Sequence, residues 1–350
     1  MSRPQLLPEF APQSGVIITW PHAGTDWRHD LETIEAVYVN IARAVTRFEQ
    51  LLVLCRDAGH QRYIHGLLER AAVPAAAVCF AVVQTNDTWV RDYGPLAVLQ
   101  EGRPVLHDFI FDGWGGKYPA ALDNAASLSL YTAGVIGSVD FLRHSLVLEG
   151  GSIDSDGEGT LLTTSRCLLE SGRNPGFDRA ALERQFREFA GIERVLWLEH
   201  GELSGDDTDG HIDMLARFCN TGTIAYLHCT EPTDSQYASF AAMEEQLRCF
   251  RTARGEPYSL VPLPLPQPVF NAAGVRLPAS YANFLIINGA VLVPVYDDPA
   301  DAAALAALTP CFPGRELVPV NCRALIQQFG SLHCATMQLP AGVLAATAGQ

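Results

Sequence analysis

The stretch DDTDGHIDMLARF, residues 206–218, sets His211 and Asp213 two positions apart at the head of an apolar run. Read as a strand, that run points both side chains the same way, because side chains alternate between the two faces of an extended chain. One site is therefore expected to hold an imidazole that moves protons near neutrality and a carboxylate that raises its basicity or binds a cation. Three more segments are chemically loaded. Asp92 lies in NDTWVRDYGP (86–95), where a strand-like run meets the Gly94-Pro95 turn; Glu149 lies in LEGGS (148–152), whose two glycines let other groups come close; and Cys334 lies in LHCAT (332–336). Asp92 and Glu149 are 57 positions apart, Glu149 and His211 62, and His211 and Cys334 123, about twice either of the others. A chain of quasi-repeats, each delivering one polar edge to a shared centre, has this rhythm.

Working outward, β-rich runs recur along the whole chain, among them GVIITW (15–20), TLLTT (160–164), TIAYLHC (223–229), YANFLIINGAVLVPVY (281–296) and CATMQL (334–339). Helical patterns alternate with them. The segment 30–50 opens at Asp30 as a cap and keeps Leu31, Ile34, Val37, Ile41 and Val45 on one face. The segment 178–191 stops at Gly191, 237–250 is a further helix, and 297–308 holds Pro299 in its first turn, while PLPLPQPVF (262–270) reads as an extended connector. This alternation predicts an α/β fold. DGWGGKYPA (112–120) has neither the spacing of a dinucleotide-binding loop nor that of a phosphate-binding one, so both nucleotide folds are excluded.

The 350 residues are 48% hydrophobic and 18% charged, a composition that buries a substantial core. With 24 Lys and Arg against 39 Asp and Glu the formal charge is −15, which repels nucleic acid and attracts cations. The sequence has no stretch of the roughly 18 apolar residues that a membrane span needs, and the expected location is the cytoplasm. Nine cysteines without a Cys-x-x-Cys pair argue against a disulfide framework and against a zinc cluster. Cys334 reads as part of a late strand in which His333 points to the opposite face, leaving His211 as the expected partner of the thiol. One thiol, one imidazole and three carboxylates suit a flat cation. Two carboxylates can accept paired N–H bonds from a guanidinium and hold its plane, which leaves the central carbon open to sulfur.

Seven blocks, TWPHAGTDW (19–27), NDTWVRDYGP, LEGGSID (148–154), DGEGTLLTTSRCLLESGRNP (156–175), DDTDGHIDMLARF, SYANFLIINGAVLVP (280–294) and HCATMQLP (333–340), together closely resemble the agmatine deiminase family, which also contains the bacterial peptidylarginine deiminases. The resemblance implies one domain over residues 1–350, a five-bladed α/β propeller (the pentein fold) built from about five ββαβ-type quasi-repeats around a central site. It implies hydrolysis through a covalent thiouronium on cysteine, without metal or organic cofactor. Carried over by position, Cys334 is the nucleophile, His211 the acid and base, Glu149 the carboxylate that orients it, and Asp92 and Asp213 the guanidinium clamp; Trp89 and Asn283 would line the substrate site. The implied reaction converts agmatine and water to N-carbamoylputrescine and ammonia, with arginine in peptides as the alternative substrate. Free arginine would call for an arginine at its carboxylate, and Arg91 and Arg166 are the candidates; an agmatine tail calls instead for Asp207, Trp89 or Trp114. Ser331 stands where the family carries a glycine, so the loop before the thiol is expected to differ. The clustered acids of DDTDGHID also suit a divalent-metal hydrolase or a cation-binding module, and a non-catalytic protein of the same fold is a further reading. A small guanidinium partner is expected, with neither nucleic acid nor membrane, and a homodimer is left open.

Overall fold

The computed structural model describes residues 3–344. The chain runs through β1 (Gln5–Leu6), β2 (Gln13–Thr19), α1 (Leu31–Val45), β3 (Gln50–Cys55), α2 (Ala58–Arg70) and β4 (Val78–Val82). It continues with β5 (Leu96–Gln100), β6 (Arg103–Ile110), α3 (Ala126–Thr132), β7 (Asp140–Val147), β8 (Ile153–Ser155), β9 (Thr160–Thr164), α4 (Arg179–Ala190) and β10 (Arg194–Leu198). The remainder comprises β11 (Ala216–Asn220), β12 (Thr223–His228), α5 (Tyr237–Cys249), β13 (Ser259–Pro264), β14 (Leu285–Ile287), β15 (Ala290–Val295), α6 (Asp301–Leu308), β16 (Glu316–Asn321) and β17 (Thr336–Pro340).

These strands form five sheets, ordered β1-β5-β6-β7, β10-β9-β8, β11-β12-β13, β14-β15-β16 and β17-β2-β3-β4. All five follow one plan. An antiparallel pair (β5–β6, β8–β9, β11–β12, β14–β15, β17–β2) is followed, across a helix, by a parallel partner (β7, β10, β13, β16, β3). A parallel neighbour has to start from the same end of the sheet, so the chain must cross back, and the helix is that crossover. The fifth sheet joins β17, from late in the chain, to β2, from its beginning, so the series of ββαβ units closes on itself.

The helices follow their apolar faces. In α1, Ile34, Val37, Ile41 and Val45 are buried, each contributing about 1.5–3 kcal/mol of apolar burial. Asp30 precedes this helix without capping it through its side chain. Helix α4 is capped at both ends as its sequence predicts: the Asp178 carboxylate accepts from Ala181 N–H, and Gly191 ends it at φ 67°. Helix α6 begins at Asp301, so Pro299 lies ahead of its first turn. The first third of the expected connector 262–270 is an edge strand, with Pro262 and Pro264 in β13 beside β12, a place where a missing N–H costs nothing.

Three segments read as strands turn instead. Residues Val90–Tyr93 are a helical turn, Ile212–Met214 a 3-10 turn ahead of β11, and Cys334 lies in a turn ahead of β17. Each belongs to a link between sheets, where the backbone must change direction. Among the described residues no helix is long and apolar enough to cross a membrane. Because β17 is the antiparallel partner of β2, deleting residues 336–350 should leave β2 with an open edge and abolish the cooperative unfolding transition; denaturant unfolding followed by circular dichroism reads this.

Candidate active site

The five links between consecutive sheets converge on one centre. Asp92 lies between β4 and β5, Glu149 and Gly151 between β7 and β8, His211 and Asp213 between β10 and β11, Asn283 between β13 and β14, and His333 and Cys334 between β16 and β17. Asn283 therefore divides the double interval between His211 and Cys334, 72 residues after the first and 51 before the second.

Gly151 marks the meeting point. A Cβ added there would lie 2.6 Å from His211 Nδ1, 2.8 Å from Asp92 Oδ1 and 3.0 Å from Asp213 Oδ2, so only glycine leaves room for all three. Its own N–H donates to Asp92 Oδ1 at 3.0 Å, and Trp114 Nε1–H donates to Oδ2 at 2.9 Å, which together fix the carboxylate plane. His211 is fully buried between two acids, with Nδ1 3.6 Å from Asp92 and Nε2 3.6 Å from Glu149, ion-pair rather than hydrogen-bond distances. The Cys334 thiol lies 3.9 Å from Asp213 Oδ2 and 3.4 Å from Asn283 Nδ2. Asn283 does not line the cavity; it sits under the loop that carries Cys334, its Oδ1 accepting from His333 N–H at 2.8 Å. Both His211 nitrogens and Asp213 Oδ1 are buried without a hydrogen-bond partner, as expected of groups that await a ligand.

The charges set the protonation states. Burial opposes a charged imidazole, but the Asp92 carboxylate, with Cys167 and Glu149 beside the ring, holds His211 well above the usual histidine range. Burial pushes the Cys334 thiol well above its ordinary value, and the Asp213 and Asp92 carboxylates push it further. Burial and the neighbouring carboxylates Asp213 and Glu149 raise Asp92 against the pull of His211. Asp213 and Glu149 are buried too, yet both are lowered, Asp213 by His333 and Glu149 by His211 and Arg173.

Behind this layer lies a second one that sequence reasoning missed. His333 does not face away: its Nδ1 is 2.7 Å from Asp213 Oδ2 and its Nε2 2.6 Å from Glu9 Oε2. The turn, in place of the expected strand, aims the ring inward. Glu9 also meets Arg217 at 2.9 Å and Arg91 at 3.5 Å, and Arg217 reaches Asp154 at 3.3 Å, all buried. Arg173 bonds Glu149 at 2.8 Å and Asp209 at 2.8 Å. It stands in ESGRNP, one of the family-like blocks, which was its only signal. Arg91, a candidate for a substrate carboxylate, is turned away into this layer and bonds Gln338, while Arg166 is exposed and pairs with Glu202.

The acids of DDTDGHID have protein partners. Asp206 accepts from Thr208 and Gly210, Asp207 from Tyr118, and Asp209 from Lys117 and Arg173. The ligand atoms of Glu149, Cys167 and His211 lie within 4.8 Å of one another, a spacing that suits a metal ion, but Arg173 already supplies positive charge to Glu149. Ser331 has ordinary backbone angles and bonds Tyr296 through its hydroxyl at 2.9 Å; the left-handed residue of this loop is Phe329, at φ 65°.

A cavity of about 300 Å³ reaches Cys334; Trp89, Asp92, Trp114 and Asp207 line it, whereas Asp213, the other clamp candidate, lies behind its wall. Among the described residues five aspartates line it, Asp26, Asp87, Asp92, Asp123 and Asp207, and no lysine or arginine does. Burial raises Asp87 to about 7 and Asp123 to about 8.

Two outcomes are expected. Gly151→Ala should keep the near-UV circular dichroism of the parent and lower kcat/KM for ammonia release from a guanidinium substrate by about 10², the cost of displacing a reacting group by about 1 Å. Because the thiol is held protonated, neutral iodoacetamide near neutral pH should label Cys334 more slowly than the exposed Cys249, whereas a cationic haloacetamidine should reverse that order; peptide mass spectrometry reads both.

The sequence and the fold were compared with known proteins. The family model described as Porphyromonas-type peptidyl-arginine deiminase matches residues 5–340. The agmatine deiminase of Pseudomonas putida KT2440 is 33% identical over 96% of this chain and 95% of its own. Among solved structures, the "putative arginine deiminase" of Porphyromonas gingivalis is 46% identical with a TM-score of 0.92, covering 98% of this chain and all of the other. A cysteine-to-serine variant of the C. jejuni agmatine deiminase, solved with substrate bound, is 33% identical with a TM-score of 0.89 over 96% of each chain. With a centre of this composition and matches that run nearly end to end, the chain belongs to the Porphyromonas-type peptidyl-arginine deiminase family.

Proposed function

We propose that the protein is a hydrolytic deiminase of agmatine, forming N-carbamoylputrescine and ammonia, with Cys334 as nucleophile. The observation that carries this reading is the cavity at Cys334, which, among the described residues, five aspartates line and no lysine or arginine does. A substrate carboxylate finds no cation there, while a ligand with a guanidinium at one end and an ammonium at the other finds acids along the way.

The guanidinium lies between Asp92 and Asp213, whose oxygens accept its N–H groups. Its positive charge offsets the two carboxylates that raise the thiol, so the proton leaves Cys334 once substrate is bound. The thiolate attacks the central carbon and forms a C–S bond. His211, held protonated by its acidic neighbours, gives its proton to the departing nitrogen, and ammonia leaves a thiouronium on sulfur. The now neutral imidazole takes a proton from water as the oxygen attacks that carbon; the C–S bond then breaks, the added hydroxyl passes its proton to the departing sulfur, and the ureido product leaves with the thiol restored. Glu149 keeps the ring in place through both proton transfers, and Arg173 keeps Glu149 charged. Asp92 and Asp213 continue to offset positive charge through both tetrahedral intermediates.

A second reading, deimination of arginine within peptides, is favoured by the description of the matching family. Ammonia release compared on agmatine, free arginine and an N-acylated arginine amide separates the two. Agmatine is expected to be preferred and Cys334→Ser to be inactive on all three; turnover by Cys334→Ser near that of the parent would end the mechanism. Since Asp87 and Asp123 titrate at about 7 and 8, raising the pH through that range adds negative charge to the cavity, and KM for agmatine should fall as pH rises.

A further inference from the structure

Six residues other than glycine have left-handed backbone angles among the described residues: Ala72, Glu101, Trp114, Asp209, Asp297 and Phe329. Four of these are small or acidic. The two aromatic ones, Trp114 (φ 58°) and Phe329 (φ 65°), both line the cavity that leads to Cys334. For a bulky side chain such angles are strained, and they persist only where the surroundings impose them.

The surroundings of Phe329 do impose them. It ends the 3-10 turn Leu325–Gln328, whose Leu325 and Ile326 are fully buried, and its N–H donates to Ile326 C=O at 3.0 Å. That turn needs a left-handed residue at its end, the position where glycine or asparagine is at home. The next residue, Gly330, lies flat against Trp89, where a Cβ would come within 2.3 Å of the indole ring. Ser331 then bonds Tyr296, and His333 N–H bonds Asn283. The loop is pinned on both sides of Phe329, so its backbone cannot relax, and glycine would meet every backbone requirement there without strain.

The backbone of the turn calls for no ring, although the ring packs its inner edge against the hydrophobic core. The ring is half-buried and forms part of the cavity wall together with Trp89 and Trp114. Resting on the proposed function, we propose that Phe329 is a specificity-determining residue: its ring narrows the approach to Cys334, so that an unbranched alkyl guanidine passes while one branched at the far end of its chain, as in peptide-borne arginine, is hindered. The apolar ring face lies along the methylenes of the chain, and the aspartates take its terminal charge.

The test uses the full chain with Phe329→Gly and Phe329→Ala, measuring kcat/KM for agmatine and for an N-acylated arginine amide. Both variants are expected to lower the ratio of the two by at least about tenfold, largely through KM. The glycine variant should melt above the alanine variant, since alanine keeps the strained Cβ without the ring. A ratio within about threefold of the parent in both variants, with parental near-UV circular dichroism, overturns the proposal. So does an alanine variant that melts at or above the glycine one. Should both fail to fold, Phe329→Asn, which tolerates these angles, gives the same reading; failure of all three would make the ring a packing group and also overturns it. A parent protein that releases ammonia from neither substrate would instead end the proposed function.

Discussion

Five carboxylates, those of Glu9, Asp92, Glu149, Asp154 and Asp213, are buried around one thiol, and the molecule can hold them there only by burying positive charge with them. An uncompensated ion in such a place costs several kcal/mol, more than a good part of a domain's net stability. Arg91, Arg173 and Arg217 supply three positive charges, His211 is held protonated, and His333 lies between two of the acids. His333 bridges Asp213 and Glu9 through both ring nitrogens, at 2.7 and 2.6 Å. Each of the five acids thus has a basic side chain beside it. A guanidinium that enters this centre adds one positive charge, and ionisation of Cys334 would remove it. The energetic problem of folding the site and the chemical problem of activating its sulfur have the same solution.

This balance explains what could and could not be read along the chain. Asp92, Glu149, His211, Asp213 and Cys334 stand out because each is a polar island beside glycine or at the edge of an apolar run, where a core has no use for it. Glu9, Arg217 and Arg173 do not stand out, because a buried counter-charge is defined by what it meets in space. Glu9 meets His333 across 324 positions and Arg217 across 208. His333 was misjudged for a different reason. Alternation along a strand places neighbours on opposite faces, but the link before β17 turns, and His333 and Cys334 serve adjacent parts of one centre.

The fold was legible where apolar patterns are strong. α1, α4, α5, the hairpin of β14 and β15, and the apolar strands β2, β3, β9 and β12 follow directly from their residues. The sheet of β5, β6 and β7 was hardest to read, because β6 carries Pro104, His107 and Asp108 and β7 lies largely exposed at an edge. α2 was missed for the same reason, its buried face being reduced to Ile64 and Leu68. The fivefold rhythm showed first as a spacing of polar residues, since the links that carry them are the part of each unit that must end at the same point.

The crowding at Gly151 has a consequence for how such a protein can change over time. With three polar side chains within about 3 Å of where a single methyl would sit, position 151 tolerates almost no amino-acid replacement, whatever ligand is favoured. Heritable variation is therefore channelled outward to the rim, and descendants of this chain can acquire new molecular preferences while keeping an old reaction.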